Sequence, residues 1–163
     1  MNRLSLDEIF MGQALIAAGG STCIRRAVGC VLVDRYNHII GVGRNGVPRG
    51  VAHCIDSPCI GAESKSGEGL DLCLATHAEI NAVAQCSDSM AIEAAYCTTS
   101  PCIQCIKLLM NTSCKRIYFL DEYPQPQVRE LWISTETYKK SWIQLDETPF
   151  LANIKRLVSG VRG

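Results

Sequence analysis

The chain has 163 residues, of which 47% are hydrophobic, and this predicts one globular domain over residues 1–163. Sixteen Lys and Arg residues balance sixteen Asp and Glu residues. This zero net charge disfavours DNA or long RNA as partners, because such partners are held mainly through their phosphate groups. No apolar stretch is long enough to cross a membrane and no secretory signal pattern is present, so we expect a cytoplasmic protein without a membrane partner.

The first elements read as a helix followed by a hairpin. The segment "LSLDEIFMGQALIAA" has apolar residues at helical spacing, with Ser5 or Asp7 near its N-cap. The short β-branched runs at 27–34 and 38–43 flank a three-residue turn and predict two paired strands.

A long segment without any period follows, and we interpret it as a cysteine-rich insertion loop over about 45–73. Gly, Cys, Pro and Ser are abundant in it. A structureless loop of this length inside a compact domain needs a reason, and metal ligation would supply one. The ten cysteines of the chain favour metal ligands over disulfides in a reducing compartment.

The remaining elements alternate between helix and strand. Pro101 is expected at the first position of its helix, and the last helix is expected to have Thr148 as its cap and Pro149 as its first residue. The predicted helices are 76–86, 101–112, 127–136 and 148–158, and the predicted strands are 93–100, 115–120 and 141–146. This order predicts a three-layer α/β/α sandwich around a central mixed five-stranded sheet.

Two short motifs carry the candidate chemistry. "THAEINAV" contains His77 and Glu79, which on their own fit the polar surface of an amphipathic helix equally well. "SPCIQC" contains Cys102 and Cys105, a pair that also suits a redox site, half a zinc finger or two core cysteines. Each motif alone is a weak signal.

Together the motifs predict a catalytic metal site. His77, Cys102 and Cys105 offer three ligands, which leaves a tetrahedral Zn²⁺ one open position for water. Glu79 lies two residues from a ligand and would take the proton of that water. The order H-x-E followed by P-C-x-x-C is the signature of zinc nucleobase deaminases.

Further segments extend the match. "CIRRAVGCVLV", "IIGVGRNGVPRG", "HC", "HAEINAV", "TTSPCIQCIKLLMNT" and "KRIYF" resemble the deoxycytidylate (dCMP) deaminase family from about Ser21 to Leu120. The resemblance implies a cytidine deaminase-like fold, hydrolysis of dCMP to dUMP and ammonia, and homo-oligomers that are often hexamers. In the implied mechanism zinc acidifies the water, Glu79 moves its proton, and hydroxide adds to C4 of cytosine before ammonia leaves.

The resemblance also implies a set of substrate contacts. Asn45 matches a family residue that contacts the sugar, although Asn-Gly also favours an ordinary turn. Ala78 and Ser100 would present backbone groups to the pyrimidine. The candidates for the phosphate are Arg26 and Arg49, with Arg25 and Arg44 beside them in the sequence.

Three positions depart from the family pattern. Arg44 replaces the usual Tyr before Asn-Gly, and Gln85 and Asp88 stand where an aromatic residue or Arg is common. The resemblance implies control by dCTP and dTTP, with Mg²⁺ on the regulatory nucleotide. The three departures weaken the expectation of this control. They also leave dCTP open as a further substrate.

Other cysteines suggest a second metal. Some family members carry a non-catalytic zinc at positions matching Cys23 and Cys54. We hypothesise a structural zinc held by Cys23, Cys54, Cys59 and Cys73, with His53 as the alternate ligand. Four protein ligands would close such a site to water. The other four cysteines read as core or partly buried thiols.

Two alternatives remain open from the sequence. The first is another deaminase of the superfamily that acts on cytidine, guanine or tRNA adenosine; the last would need a basic RNA-binding face. The second is a zinc-stabilised binding module that has lost catalysis. Glu79 distinguishes a deaminase from such a binding module, because a purely structural site needs no carboxylate at its open position.

Overall fold

A computed structural model describes residues 3–65, 68–69, 71–136 and 139–159. The predicted domain span and the predicted loop also include positions outside these residues, namely both termini, 66–67, 70 and 137–138. None of the helices formed by the described residues is long and apolar enough to cross a membrane.

The described residues form eleven elements. They are α1 (Leu6–Ala18), β1 (Gly29–Val33), β2 (Ile39–Arg44), α2 (Ala78–Gln85), a 3₁₀ turn (Ser89–Ala91), β3 (Ala94–Thr99), α3 (Ile103–Met110), β4 (Arg116–Asp121), α4 (Gln127–Ile133), β5 (Ser141–Gln144) and α5 (Glu147–Val158). The 3₁₀ turn between α2 and β3 was not expected from the sequence.

The strands form one mixed sheet in the order β2-β1-β3-β4-β5. β1 pairs antiparallel with both β2 and β3, whereas β3, β4 and β5 run parallel. The predicted α/β/α sandwich with a five-stranded mixed sheet is therefore confirmed. The carboxyl ends of β3 and β4 lie side by side, which brings the residues after them to one edge of the sheet.

Helices cover both faces of this sheet. On one face α1 packs Phe10 and Met11 against Val31 and Tyr96. On the other face α2, α3 and α4 form a second core with the sheet, in which Ala82 of α2 and Trp132 of α4 are fully buried. Helix α2, which follows His77 and carries Glu79, is thus buried against the sheet, and this packing fixes its position.

The ends of three helices test the capping predictions. Ser5 caps α1: its hydroxyl accepts the Glu8 N–H at 3.2 Å, and the Glu8 carboxylate accepts the Ser5 N–H at 2.7 Å. Pro101 precedes the N-cap of α3 instead of opening the helix, because Cys102 is the N-cap. α5 begins at Glu147, two residues before the predicted start, and the Asp146 carboxylate accepts the Thr148 N–H.

Close contact between α2 and β2 depends on glycine. A Cβ atom on Gly43 would lie 2.0 Å from the Ala78 carbonyl oxygen and 2.4 Å from the Ala82 nitrogen. Real side-chain carbons do not approach backbone atoms so closely. Gly43 therefore lets the helix that follows His77 rest directly on the strand.

We expect Gly43→Ala to lower the free energy of unfolding by about 1–3 kcal/mol, because the helix must move away from the strand. Urea denaturation of the purified protein measures this loss. Gly12→Ala is the matched control, since a Cβ there meets only the Phe150 ring at an ordinary 3.6 Å. Equal stability of Gly43→Ala and the parent protein would contradict the close contact.

Candidate active site

Three side chains converge at the start of α2 and α3. Cys102 Sγ lies 3.3 Å and Cys105 Sγ lies 3.4 Å from His77 Nδ1. All three ligand atoms lie within 4.8 Å of one another, and this is the one such group of three or more among the described residues. Zn–S bonds of about 2.3 Å and Zn–N bonds of about 2.0 Å at tetrahedral angles place sulfur and nitrogen about 3.5 Å apart. The three side chains therefore fit a zinc ion.

Backbone geometry explains why the ligands meet. His77 and Cys102 are the N-cap residues of α2 and α3, both with extended backbone, and neither side chain caps its own helix. The long loop closes directly before His77, where Gly46 and Thr76 exchange two backbone hydrogen bonds of 3.1 and 2.8 Å. Two helix N-termini thus face one point, and their positive ends favour thiolate ligands.

The electrostatics of the group already favour a bound cation. The Cys105 thiol and the His77 ring hydrogen-bond to the Cys102 sulfur and lower the pKa of Cys102 to about 4. The same contact with Cys102, together with burial, holds the pKa of Cys105 well above its usual range. The Cys102 sulfur raises the pKa of His77. One thiol of the pair is thus ionised at neutral pH, and a metal ion would compensate that charge.

Glu79 lies in the first turn of α2, next to this group. Its side chain is 4% exposed and contacts the Cys105 thiol, and burial raises the pKa of its carboxyl group. Among the described residues, the Glu79 carboxyl group forms no salt bridge with a Lys or Arg side chain. A buried carboxyl group beside a three-ligand centre is suited to hold or release a proton there.

A cavity of about 300 Å³ opens onto these residues. His77, Glu79 and Cys102 line it together with Asn45 and Ser100. The volume lies at the lower end of what small-ligand sites have. The cavity therefore suits a ligand of nucleotide size or smaller.

Asn45 lines this cavity but is also committed to the protein. Its Oδ1 atom accepts hydrogen bonds from the Ser21 hydroxyl at 2.7 Å and the Val28 N–H at 2.8 Å. Its Nδ2 atom donates to the Arg26 carbonyl at 2.7 Å. Asn45 thus holds in place the segment before β1 that contains Arg26. One N–H of the Asn45 side-chain amide remains for a ligand.

The two predicted backbone contacts differ in their availability. Ala78 is the first residue of α2 and lines the cavity, where its N–H has no partner within the helix. The Ser100 N–H donates to the Asp121 carbonyl at 2.8 Å, and the Ser100 hydroxyl accepts the Tyr123 N–H at 2.7 Å. The Ser100 N–H is therefore not available to a pyrimidine, and a contact through the Ser100 carbonyl oxygen stays a prediction.

The four arginines considered for the phosphate lie in different places. Arg25 and Arg26 line the cavity, whereas Arg44 lines a second cavity on the other side of Asn45. Arg49 lines neither cavity and is exposed in the turn after β2, so its contact with the phosphate stays a prediction. Arg26 pairs with Asp121 at 3.1 Å in the open rim.

The four loop cysteines approach one another in part. The Cys54 thiol donates to the Cys59 sulfur at 3.7 Å, and Cys59 also contacts Cys73. Cys23 and Cys73 both line the cavity. Among the described residues, no three of these four cysteines lie as close together as His77, Cys102 and Cys105, which we call the His77 group. His53 faces Asp56 at 3.9 Å and lines the second cavity, so it is not placed as their alternate ligand.

Several residues of the cavity lining were not expected from the sequence, among them Tyr123 and Ser64. Tyr123 follows β4, and Ser64 belongs to the long loop. Tyr123 had a signal: it follows the strand next to β3, whose own carboxyl end leads to Ser100, and neighbouring parallel strands deliver such residues to one crevice. Ser64 had none, because its loop has no period.

Comparison with known proteins identifies the class. The family model described as the cytidine and deoxycytidylate deaminase zinc-binding region matches residues 4–121. The chain therefore belongs to this deaminase family, and the zinc-binding region that the model describes contains His77, Cys102 and Cys105.

Individual relatives narrow the similarity. The chain is 39% identical over 125 residues to the deoxycytidylate deaminase of Schizosaccharomyces pombe, with 74% of this chain and 38% of that protein covered. It is 35% identical over 128 residues to a Mycobacterium phage deoxycytidylate deaminase, with 75% and 99% covered. It is 36% identical over 140 residues to the ComE operon protein 2 of Bacillus subtilis, with 81% and 68% covered.

The chain spans only 38–39% of the length of the two yeast deoxycytidylate deaminases that it matches. The fold is similar to that of a cyanophage S-TIM5 dCMP deaminase in complex with dCMP and dUMP. The TM-score is 0.64 at 24% identity, and 88% of this chain and 99% of that chain are covered. This likeness bears on the fold alone.

Proposed function

We propose that the protein hydrolyses dCMP to dUMP and ammonia, with Glu79 as the catalytic residue and His77, Cys102 and Cys105 as the zinc ligands. The observation that carries the proposal is the buried Glu79 carboxyl group beside a three-ligand centre in the lining of a cavity. The names of the relatives at 34–39% identity support the choice of a deoxycytidine nucleotide.

The residues divide the chemistry among them. Zinc, when bound, supplies Lewis acidity that lowers the pKa of a water molecule at the site. Glu79 accepts the proton of that water and delivers protons to the pyrimidine ring and to the leaving amino group. A C–O bond forms at C4, the C–N bond breaks, and ammonia leaves. The Ala78 N–H and the remaining N–H of Asn45 are placed to orient the base and the sugar.

Arg26 is the residue that we assign to the phosphate. Its guanidinium group lies at the cavity rim and pairs with Asp121, whose side chain is 64% exposed. An exposed ion pair contributes little to stability, so a phosphate can take over part of the guanidinium contacts. Among the described residues, only Arg25 and Arg26 bring permanent positive charge to the cavity lining, which suits a monophosphate better than the triphosphate dCTP.

The two alternatives are another deaminase activity and a binding module without catalysis. Ammonia release from dCMP, dCTP, deoxycytidine and cytidine, measured in parallel, separates them. Turnover of dCMP in preference to the nucleosides supports the proposal, and the dCTP rate tests its acceptance. Ammonia release from cytidine alone would overturn the proposed substrate. A zinc-loaded protein that is inert on all four compounds would contradict the proposal as well.

We also propose a structural zinc at Cys23, Cys54, Cys59 and Cys73. The contacts of Cys59 with Cys54 and Cys73 support it, and small movements of loop side chains would complete the set. Zinc analysis of the purified protein is expected to give about two ions per chain. A content of one zinc ion per chain that is unchanged in a Cys54→Ser variant would contradict this second site.

Finer features of the family complete the proposal. We propose a single domain over the whole chain with the cysteine-rich loop as an insertion, and a cytoplasmic location that suits ten reduced cysteines. Exposed apolar side chains such as Ile16 and Met90 support a homo-oligomer, for which we propose a hexamer. The second cavity, lined by Arg44 and Asn81, is our proposed site for a regulatory nucleotide with Mg²⁺.

A further inference from the structure

We propose that Arg25 is a positioning residue that holds part of the long loop in place as a wall of the substrate cavity. The wall segment is defined as residues 61–65 and 68–69. The assignment of the cavity to a nucleotide rests on the proposed function, whereas the contact between Arg25 and the loop does not.

Arg25 joins two parts of the chain that are far apart in sequence. It lies before β1, and its Nη2 atom donates hydrogen bonds to the carbonyl oxygens of Lys65 and, at 3.0 Å, of Glu68. Hydrogen bonds from a charged donor to backbone carbonyls are stronger than neutral ones. One side chain therefore ties down two points of the wall segment.

The wall segment is not ordered by a helix or a strand of its own. No helix or strand forms between β2 and α2 among the described residues. Its internal hydrogen bonds are local turns, such as Ala62 N–H to the Cys59 carbonyl and Ser64 N–H to the Gly61 carbonyl. Ordering such a segment costs conformational entropy that these turns offset only in part. Long-range contacts from Arg25 are thus important for its position.

The same segment forms part of the cavity. Ala62 and Ser64 line it together with Arg25 itself, and Ser100 and Tyr123 line it from the sheet edge. Gly61 packs so tightly on the returning chain that a Cβ there would lie 2.7 Å from the Cys73 nitrogen. Release of the segment would therefore widen the cavity on the side of the loop.

This arrangement separates the roles of the two neighbouring arginines. The Arg25 guanidinium binds carbonyl oxygens of the loop, whereas the Arg26 guanidinium faces the exposed carboxylate of Asp121. A phosphate can compete at Arg26 without releasing the loop. We therefore assign the wall to Arg25 and the phosphate to Arg26, although the two residues are adjacent in the sequence.

Hydrogen–deuterium exchange of the zinc-loaded protein without substrate tests the contact directly. In Arg25→Gln, amide exchange at Ala62, Ser64 and Glu68 is expected to rise about tenfold or more, while the core strands keep their protection. Arg26→Gln and Arg35→Gln are the matched controls, and both are expected to leave the loop unchanged. Unchanged loop exchange in Arg25→Gln would overturn the proposal, whatever the substrate is.

Binding measurements then separate a wall from a phosphate contact. Arg25→Gln is expected to raise the KM for dCMP and the inhibition constant of deoxycytidine by the same factor, because both ligands share the wall. Arg26→Gln is expected to weaken only dCMP, by about tenfold or more. A loss confined to dCMP in Arg25→Gln would overturn the role of Arg25 as a wall residue. If neither ligand binds the parent protein, the proposed function fails while the exchange result still stands.

Discussion

Replacement of Glu79 by Gln is expected to reduce kcat for ammonia release from dCMP by about 100- to 10,000-fold, which is the range for loss of a general acid–base group. Gln has almost the same shape as Glu, so the packing of α2 against the sheet is retained. What is lost is the capacity to accept and return a proton beside the His77 group. The measurement is steady-state ammonia release at saturating dCMP.

Zinc content distinguishes this loss from damage to the metal site. Glu79 lies beside the three ligands but is not one of them, so Glu79→Gln is expected to bind as much zinc as the parent protein. The control is Glu130→Gln on α4, where the side chain is exposed and far along the chain from the site. Activity of Glu79→Gln within a few-fold of the parent would remove Glu79 from the proposed mechanism.

Replacement of Cys102 or Cys105 by Ser is expected to lower zinc affinity by more than about 100-fold, since even changes to groups that only support metal ligands cost about 10–100-fold. Serine is a poor zinc ligand, and two protein ligands do not hold the ion against competition. Competition with a chromophoric chelator measures the affinity. Catalysis is expected to fall with the loss of this ion.

The other cysteines provide the comparison. Cys86 lies at the end of α2, where its thiol donates to the Asp88 carbonyl at 3.2 Å, and Cys86→Ser is expected to keep both zinc and activity. If the structural zinc is present, Cys105→Ser loses one of two ions and Cys54→Ser loses the other. Parental zinc affinity in both Cys102→Ser and Cys105→Ser would contradict the metal centre.

Some features were predictable because they depend on short spacings. Ser5 was one of two residues expected near the N-cap of α1, and it is the N-cap; the capping box it forms needs only the Glu8 that lies three residues later. In the same way, Cys102 and Cys105 lie three residues apart, within one turn at the start of α3. Local spacing presents such side chains together whatever the rest of the chain does. The order of strands and helices likewise follows from hydrophobic periodicity.

Other predictions failed where a boundary depends on competition between neighbouring residues. Asp146 accepts the Thr148 N–H, so α5 starts earlier than Pro149 suggested. Arg49 and Arg26 were equal candidates for the phosphate by sequence. Arg26 lines the cavity, whereas Arg49 lies in an exposed turn outside it, and its phosphate contact stays a prediction. Residue type does not distinguish the two arginines as phosphate candidates. Only their positions relative to the edge of the sheet do so.

The sequence by itself determined the chemistry of the site: an imidazole, two thiolates and a carboxyl group at spacings that suit zinc and proton transfer. The tertiary structure decided which residues enclose that chemistry. It brought Ser64 from a loop without periodicity to the cavity, committed the Ser100 amide to Asp121, and turned Arg25 toward loop carbonyls. These contacts join residues far apart in the chain, and their positions depend on packing and loop closure, which no local spacing encodes.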